Sequence, residues 1–98
     1  MAYKIVPTLR FKKKTIKVLE FLEKEWSHKV AREFLLKIDK KFEILSTNPM
    51  IGRSSEKYKN VRAVLITPHN KMYYRIVSNK ILILNLFDTR IDPKKNPY

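Results

Sequence analysis

The strongest constraint in the sequence is the run Val30, Ala31, Phe34, Leu35, Ile38, Phe42 and Leu45. Its spacing of three and four predicts one apolar stripe along a helix. Pro49 disfavours helix at the residue before it, so Ser46-Thr47-Asn48-Pro49 predicts the end of that helix. At the other end, Ser27 is placed as an N-cap whose hydroxyl accepts from a free amide of the first turn. No capping box is present, because Val30 stands where Glu or Gln is needed. Upstream, Leu9 to Glu25 contains neither Gly nor Pro, and Thr8 is positioned as its N-cap. Leu9, Ile16, Leu19, Leu22 and Trp26 are expected to share the buried face there, with Phe11, Thr15 and Val18 beside it. Two long helices with so short a link predict an antiparallel helical hairpin, with Trp26 as the apolar clamp at its junction.

The remainder reads as strands. Tyr3 to Val6 is β-prone and is closed by Pro7. Met50 to Asn60 reads as a loop carrying the only glycine, Gly52, with Arg53, Lys57 and Lys59. Three strands are expected at Val61 to Thr67, Lys71 to Val77 and Ile81 to Asp88. Turn chemistry separates them at Thr67-Pro68-His69-Asn70 and at Ser78-Asn79. The last strand is apolar on both faces, which predicts a central position. Thr89 to Tyr98, with Pro93 and Pro97, reads as an extended tail. The expected fold is α+β in the order β-α-α-β-β-β: a twisted, mostly antiparallel sheet with an N-terminal helical hairpin packed on one face, in a single domain over residues 1–98.

Charge narrows the partners. Lys and Arg total 22 against 9 acidic residues, a formal net charge of +13. A surface this positive attracts nucleic acid or an acidic protein. No stretch is long and apolar enough to span a bilayer. The absence of cysteine excludes disulfides and thiolate chemistry. Two isolated histidines, His28 and His69, offer no metal-ligand cluster, and no cofactor is implied. The N-terminus lacks the apolar core of a secretory signal, so a cytoplasmic protein is expected.

Several strings, in order, resemble the RelE/ParE superfamily of toxins from type II toxin–antitoxin systems. They are Tyr3-Lys4-Ile5-Val6, Trp26-Ser27-His28-Lys29-Val30-Ala31, Leu45-Ser46-Thr47-Asn48-Pro49 with Gly52-Arg53, Val61-Arg62, Met72-Tyr73-Tyr74-Arg75-Ile76-Val77, and Phe87-Asp88-Thr89-Arg90 with Asp92-Pro93. The long hairpin and the Phe-Asp-Thr-Arg ending look closer to the ParE-like branch. The resemblance implies a plasmid-stabilisation type of toxin and a cognate acidic antitoxin. It also implies one of two targets: DNA gyrase, inhibited by binding, or the ribosome and its mRNA, with cleavage by 2′-hydroxyl attack. For cleavage it implies Arg62, Lys71, Arg90, His69 and Tyr98 as catalytic candidates, since the reaction needs a base, an acid and positive charge on the phosphorane. The closely spaced lysine pair of RelE is missing, because Ala63 and Val64 follow Arg62. For target or antitoxin binding the candidates are Arg53, Arg62, Arg75, Arg90, Lys94 and Lys95.

Bland roles stand beside these. Arg75 is expected to pair with Asp88 across the hairpin, and Arg90 with Asp88 or Asp92. His69 reads as a solvated turn residue, and Lys12, Lys13 and Lys14 as a solvated helix face or part of a binding surface. Tyr73 and Tyr74 should point to opposite faces, one in the core and one exposed. Alternation sets Arg62, Val64 and Ile66 against Val61, Ala63 and Leu65, and both sets are partly apolar, so either face is open to Arg62. Asn85 is the odd polar residue of its strand, placed to cap a sheet edge or to accept from Arg90. Charge alone also allows a non-toxic nucleic-acid-binding module.

Overall fold

The computed structural model describes residues 2–89. Two strong N-caps set the helices. The Thr8 hydroxyl accepts from the Phe11 amide at 3.3 Å, opening α1 (Leu9–Glu25). The Ser27 hydroxyl accepts from the Val30 amide at 3.1 Å, opening α2 (His28–Thr47). Five strands complete the fold: β1 (Lys4–Pro7), β2 (Arg53–Ser54), β3 (Val61–Thr67), β4 (Asn70–Val77) and β5 (Lys80–Asp88). They form one sheet in the order β1-β5-β4-β3-β2. β1 runs parallel to β5, and the other neighbours are antiparallel. β5 is therefore internal, as its two apolar faces require.

The α+β fold matches the sequence expectation, with two short added elements. Residues 50–60 are not all loop: Pro49–Ile51 form a 3₁₀ turn, and β2 pairs Arg53 with Ala63 and Ser54 with Arg62. Both helices pack on one face of the sheet. The core joins Phe11, Phe34, Ile38 and Leu45 from the hairpin to Met72, Tyr74, Ile81, Ile83 and Leu86 from the strands.

The buried seam of α1 is shifted from its expected place. Phe11 and Thr15 are its buried residues, and Val18, Leu19 and Leu22 pack against the core. Leu9, Ile16 and Trp26 face outward, Trp26 with 72% of its surface accessible. Positions 11, 15, 18 and 22 recur at i, i+4, i+7 and i+11, a cleaner helical stripe than the one through Leu9 and Ile16. Trp26 caps the end of α1 with φ −123° and ψ −86°, which turns it out of the hairpin seam, so it is not the clamp.

Asn85 gains an account. The β4–β5 register slips between Tyr73, opposite Asn85, and Tyr74, opposite Ile83, so Leu84 is the extra residue of a bulge. The Asn85 Oδ1 accepts from the Leu86 amide at 2.9 Å, supplying an acceptor where the ladder is interrupted. The Thr8 hydroxyl donates to the carbonyls of Ile83 at 2.7 Å and Leu84 at 3.2 Å, tying the start of α1 to the same bulge. The hairpin turn at Ser78-Asn79 has the expected two residues, closed by Val77 opposite Lys80, with Ser78 at φ 54°.

Candidate functional site: two faces of one sheet

Paired residues on neighbouring strands point to the same side of a sheet. Tyr74 enters the helix-side core, and Arg62 stands opposite it. Arg62 is thus on the helix side, with Val64 and Ile66. The alternation that sequence left open is settled by this register. The Arg62 Nη1 donates to the carbonyl of Gly52 at 2.7 Å and to that of Met50 at 3.3 Å. The Tyr74 hydroxyl donates to the Pro49 carbonyl at 2.7 Å and accepts from the Gly52 amide at 2.9 Å. Two side chains from adjacent strands therefore hold the turn that follows α2. Glycine is required at 52 by close approach: a Cβ there would lie 2.8 Å from Tyr74 Cε1 and 2.9 Å from Cζ. Burial raises the Tyr74 pKa above its ordinary value, against the lowering influence of the Gly52 amide and the Arg62 charge. Its phenol is neutral, enclosed and engaged in both directions, so it is not placed to move a substrate proton.

The opposite face carries a different set. Arg53 pairs with Ala63, Lys71 with Leu65, Tyr73 with Ala63 and Arg75 with Val61, so Arg53, Lys71, Tyr73 and Arg75 share the side away from the helices. A groove of about 680 Å³ lies there, lined by Arg53, Lys57, Leu65, Lys71, Tyr73 and Thr89 among others. Three cations, Arg53, Lys57 and Lys71, line it against one carboxylate, Glu56. The Lys71 ammonium sits 5.9 Å from the centroid of the Tyr73 ring, within cation–π range. Tyr73 is only 4% accessible, so neither member of the Tyr-Tyr pair is exposed, although they do face opposite sides. The expected Arg75–Asp88 pair is absent from the hairpin register: Arg75 stands opposite Leu82 near one end and Asp88 opposite Asn70 at the other.

His69 lies with neither set. It occupies the β3–β4 turn, where its carbonyl accepts from the Thr89 amide at 3.0 Å. It lines a second groove, of about 870 Å³, between that turn and the helical hairpin. The floor of this trough is Val18, Phe21, Leu22, Trp26, Val30 and Phe34, and its rim carries Lys17, Glu33, Lys37, His69 and Asp88. Sequence periodicity does not reveal it, because the pattern sets Trp26 at the helix junction. Arg62, His69 and Lys71 therefore point to three different surroundings. Arg90, Lys94, Lys95 and Tyr98 lie outside the described residues. Among the described residues no cluster of His, Asp or Glu is arranged to hold a metal ion, and no helix is long and apolar enough to cross a membrane.

The sequence profile of the ParE toxin of the type II toxin–antitoxin system, parDE, matches residues 5–93. The chain belongs to the ParE toxin family. Solved structures agree on the fold. The chromosomal ParDE toxin–antitoxin system from P. aeruginosa aligns at TM-score 0.76 and 17% identity, covering 89% of this chain and 96% of that one. The RelBE2 toxin–antitoxin complex from Mycobacterium tuberculosis aligns at TM-score 0.63 and 14% identity, with coverage of 90% and 99%. The YoeB dimer from Staphylococcus aureus aligns at TM-score 0.61 and 12% identity, with coverage of 89% and 97%. No curated protein sequence matches the chain. This ParE-family chain is a toxin of a type II toxin–antitoxin system, and its helical hairpin and five-stranded sheet are the architecture shared with those neighbours.

Proposed function

We propose that this toxin arrests growth by binding DNA gyrase and carries out no covalent chemistry of its own. One observation carries the reading: the Arg62 guanidinium is engaged by the carbonyls of Met50 and Gly52 on the helix side, while Lys71 faces the other way. Ribonuclease chemistry needs a base, an acid and a phosphorane-stabilising cation around one phosphate. The described candidates Arg62, His69 and Lys71 do not surround a common point. Membership of the ParE family supports the same assignment. Arg53, Lys71 and Arg75 on the open face, with Arg90, Lys94 and Lys95 beyond the described residues, are proposed as target-contacting cations. The test is a supercoiling assay with purified gyrase and relaxed plasmid. Loss of supercoiling at stoichiometric toxin is expected, and unchanged supercoiling at excess toxin refutes the reading.

An acidic antitoxin is proposed as the neutralising partner. The neighbours from P. aeruginosa and M. tuberculosis are themselves toxin–antitoxin assemblies. The apolar trough suits the apolar face of an amphipathic helical segment; its rim is mixed, Lys17 and Lys37 with Glu33 and Asp88, so the attraction for an acidic partner comes from the chain's net charge of +13.

A second reading, ribosome-dependent mRNA cleavage, is favoured by the cationic groove of Arg53, Lys57 and Lys71 over Tyr73. Primer extension on translated message distinguishes it. Cleavage sites that vanish with Lys71→Ala support it, and intact message during growth arrest removes it.

A further inference from the structure

A block of charge on α1 lies mostly outside both grooves, with only Lys17 also reaching the rim of the trough. Arg10, Lys13, Lys14 and Lys17 recur at i, i+3, i+4 and i+7, so they form one stripe along the helix. With Leu9 and Asn85 of β5 they line a shallow groove of about 460 Å³. The stripe runs about 10 Å along the helix axis at ~1.5 Å per residue. No acidic residue stands in the first turn of α1. None of the four cations makes an ion pair with a described residue. The N-terminal end of a helix already carries partial positive charge. The stripe therefore raises the energy of the free protein twice, through mutual repulsion and through the helix dipole. An ordinary solvated helix face mixes signs, as α2 does with Glu33 four residues before Lys37 and Lys40 three before Glu43. A bound polyanion relieves both repulsions.

We propose that Arg10, Lys13, Lys14 and Lys17 dock on the phosphate backbone of duplex DNA. A protein segment needs apolar anchors, and the stripe offers only Leu9; the anchoring side chains lie beyond Lys17, in the trough. A single strand is held by bases stacked on aromatic rings, and no aromatic residue lines this groove. A DNA duplex presents one charge per ~1.7 Å of axis, so about six phosphates lie along the ~10 Å stripe, enough to give each of the four cations a partner. Side chains cannot read the narrow major groove of duplex RNA, whereas that of B-DNA, about 12 Å wide, admits a helix. The inference stands apart from the gyrase reading and holds whether or not gyrase is the target.

The experiment compares two charge-matched variants of the full chain. One is Arg10→Gln/Lys13→Gln/Lys14→Gln/Lys17→Gln. The control is Lys29→Gln/Arg32→Gln/Lys40→Gln/Lys59→Gln. Binding to a short duplex DNA, a duplex RNA of the same sequence and a polyglutamate peptide is followed by fluorescence anisotropy over a salt series. For duplex DNA, loss of four phosphate contacts should flatten the log–log salt slope of the stripe variant by about 3.6, at ~0.9 per contact. The control should keep a slope near that of the unmodified chain. Equal flattening in both variants overturns the proposal, because diffuse charge then explains binding. A loss confined to RNA or polyglutamate also overturns it. Glutamine is close to lysine in helix propensity, so α1 should persist, with a raised Tm. Should the quadruple variant melt below the unmodified chain, Arg10→Gln/Lys17→Gln carries the test, with an expected flattening of about 1.8; an unchanged slope in that double variant overturns the proposal.

Discussion

The Gly52 amide donates to the Tyr74 hydroxyl at 2.9 Å across 22 positions of chain. The same hydroxyl donates to the Pro49 carbonyl, so a core tyrosine of β4 fixes the exit of α2. Gly52→Ala sets a methyl group against the tyrosine ring and should cost about 1–3 kcal/mol, in the range of overpacked cores. Tyr74→Phe leaves the buried Gly52 amide without its acceptor and should cost about 1–3 kcal/mol. Urea unfolding of the two single variants and the double variant checks both values. The double variant should lose less than their sum, since removing the hydroxyl clears part of the space the methyl needs.

Alkaline pH should act through the same residue. The folded-state pKa of Tyr74 is raised above 10.0, chiefly by burial. The stabilisation tied to the neutral phenol is complete below about pH 10, the unfolded value, and is lost as pH rises through the higher folded value. The urea midpoint of the unmodified chain should therefore fall more steeply above pH 10 than that of Tyr74→Phe. Parallel curves for the two proteins contradict this.

Arg62 is expected to behave as a scaffold residue. Arg62→Met removes its hydrogen bonds to Gly52 and Met50 and should lower stability by about 1 kcal/mol. A lower Tm should accompany any loss of growth arrest. Abolished toxicity at unchanged Tm would reveal contact with the target instead.

Arg10 stands at the second helical position of α1, within reach of the positive dipole end. Arg10→Glu should raise stability by about 0.3–1 kcal/mol at low salt and by less in high salt. Thermal melts at two ionic strengths measure the difference.

Trp26 is so exposed that Trp26→Ala should change stability by less than about 0.5 kcal/mol. If the trough holds the antitoxin, the same substitution should weaken that complex by more than about 2 kcal/mol, the scale of a tryptophan anchor. Calorimetric titration reads the effect directly.

Much of this architecture is legible in the residues. Thr8 and Ser27 announce both helix starts, and Ser78-Asn79 marks the tight hairpin. β2 is not legible, because two residues carry no period and Arg53–Ser54 are held in place by the Tyr74–Gly52–Arg62 contacts of distant strands. The face of Arg62 needs the β3–β4 register, since apolar side chains occupy both alternating sets. The outward turn of Trp26 is not legible either, because an apolar residue beside a cap has the same local pattern whether it turns in or out. The single glycine is the available clue to the turn cluster, because a residue without a Cβ permits close approach at the backbone.

The parallel pairing of β1 with β5 gives the toxin a built-in delay. β1 leaves the ribosome well before its partner, Ile81 to Ile83, has been made. The hairpin helices wait on the same residues for the far wall of their core. A message broken or a ribosome stalled before that point should yield a chain with no sheet centre to assemble around, and so no folded toxin.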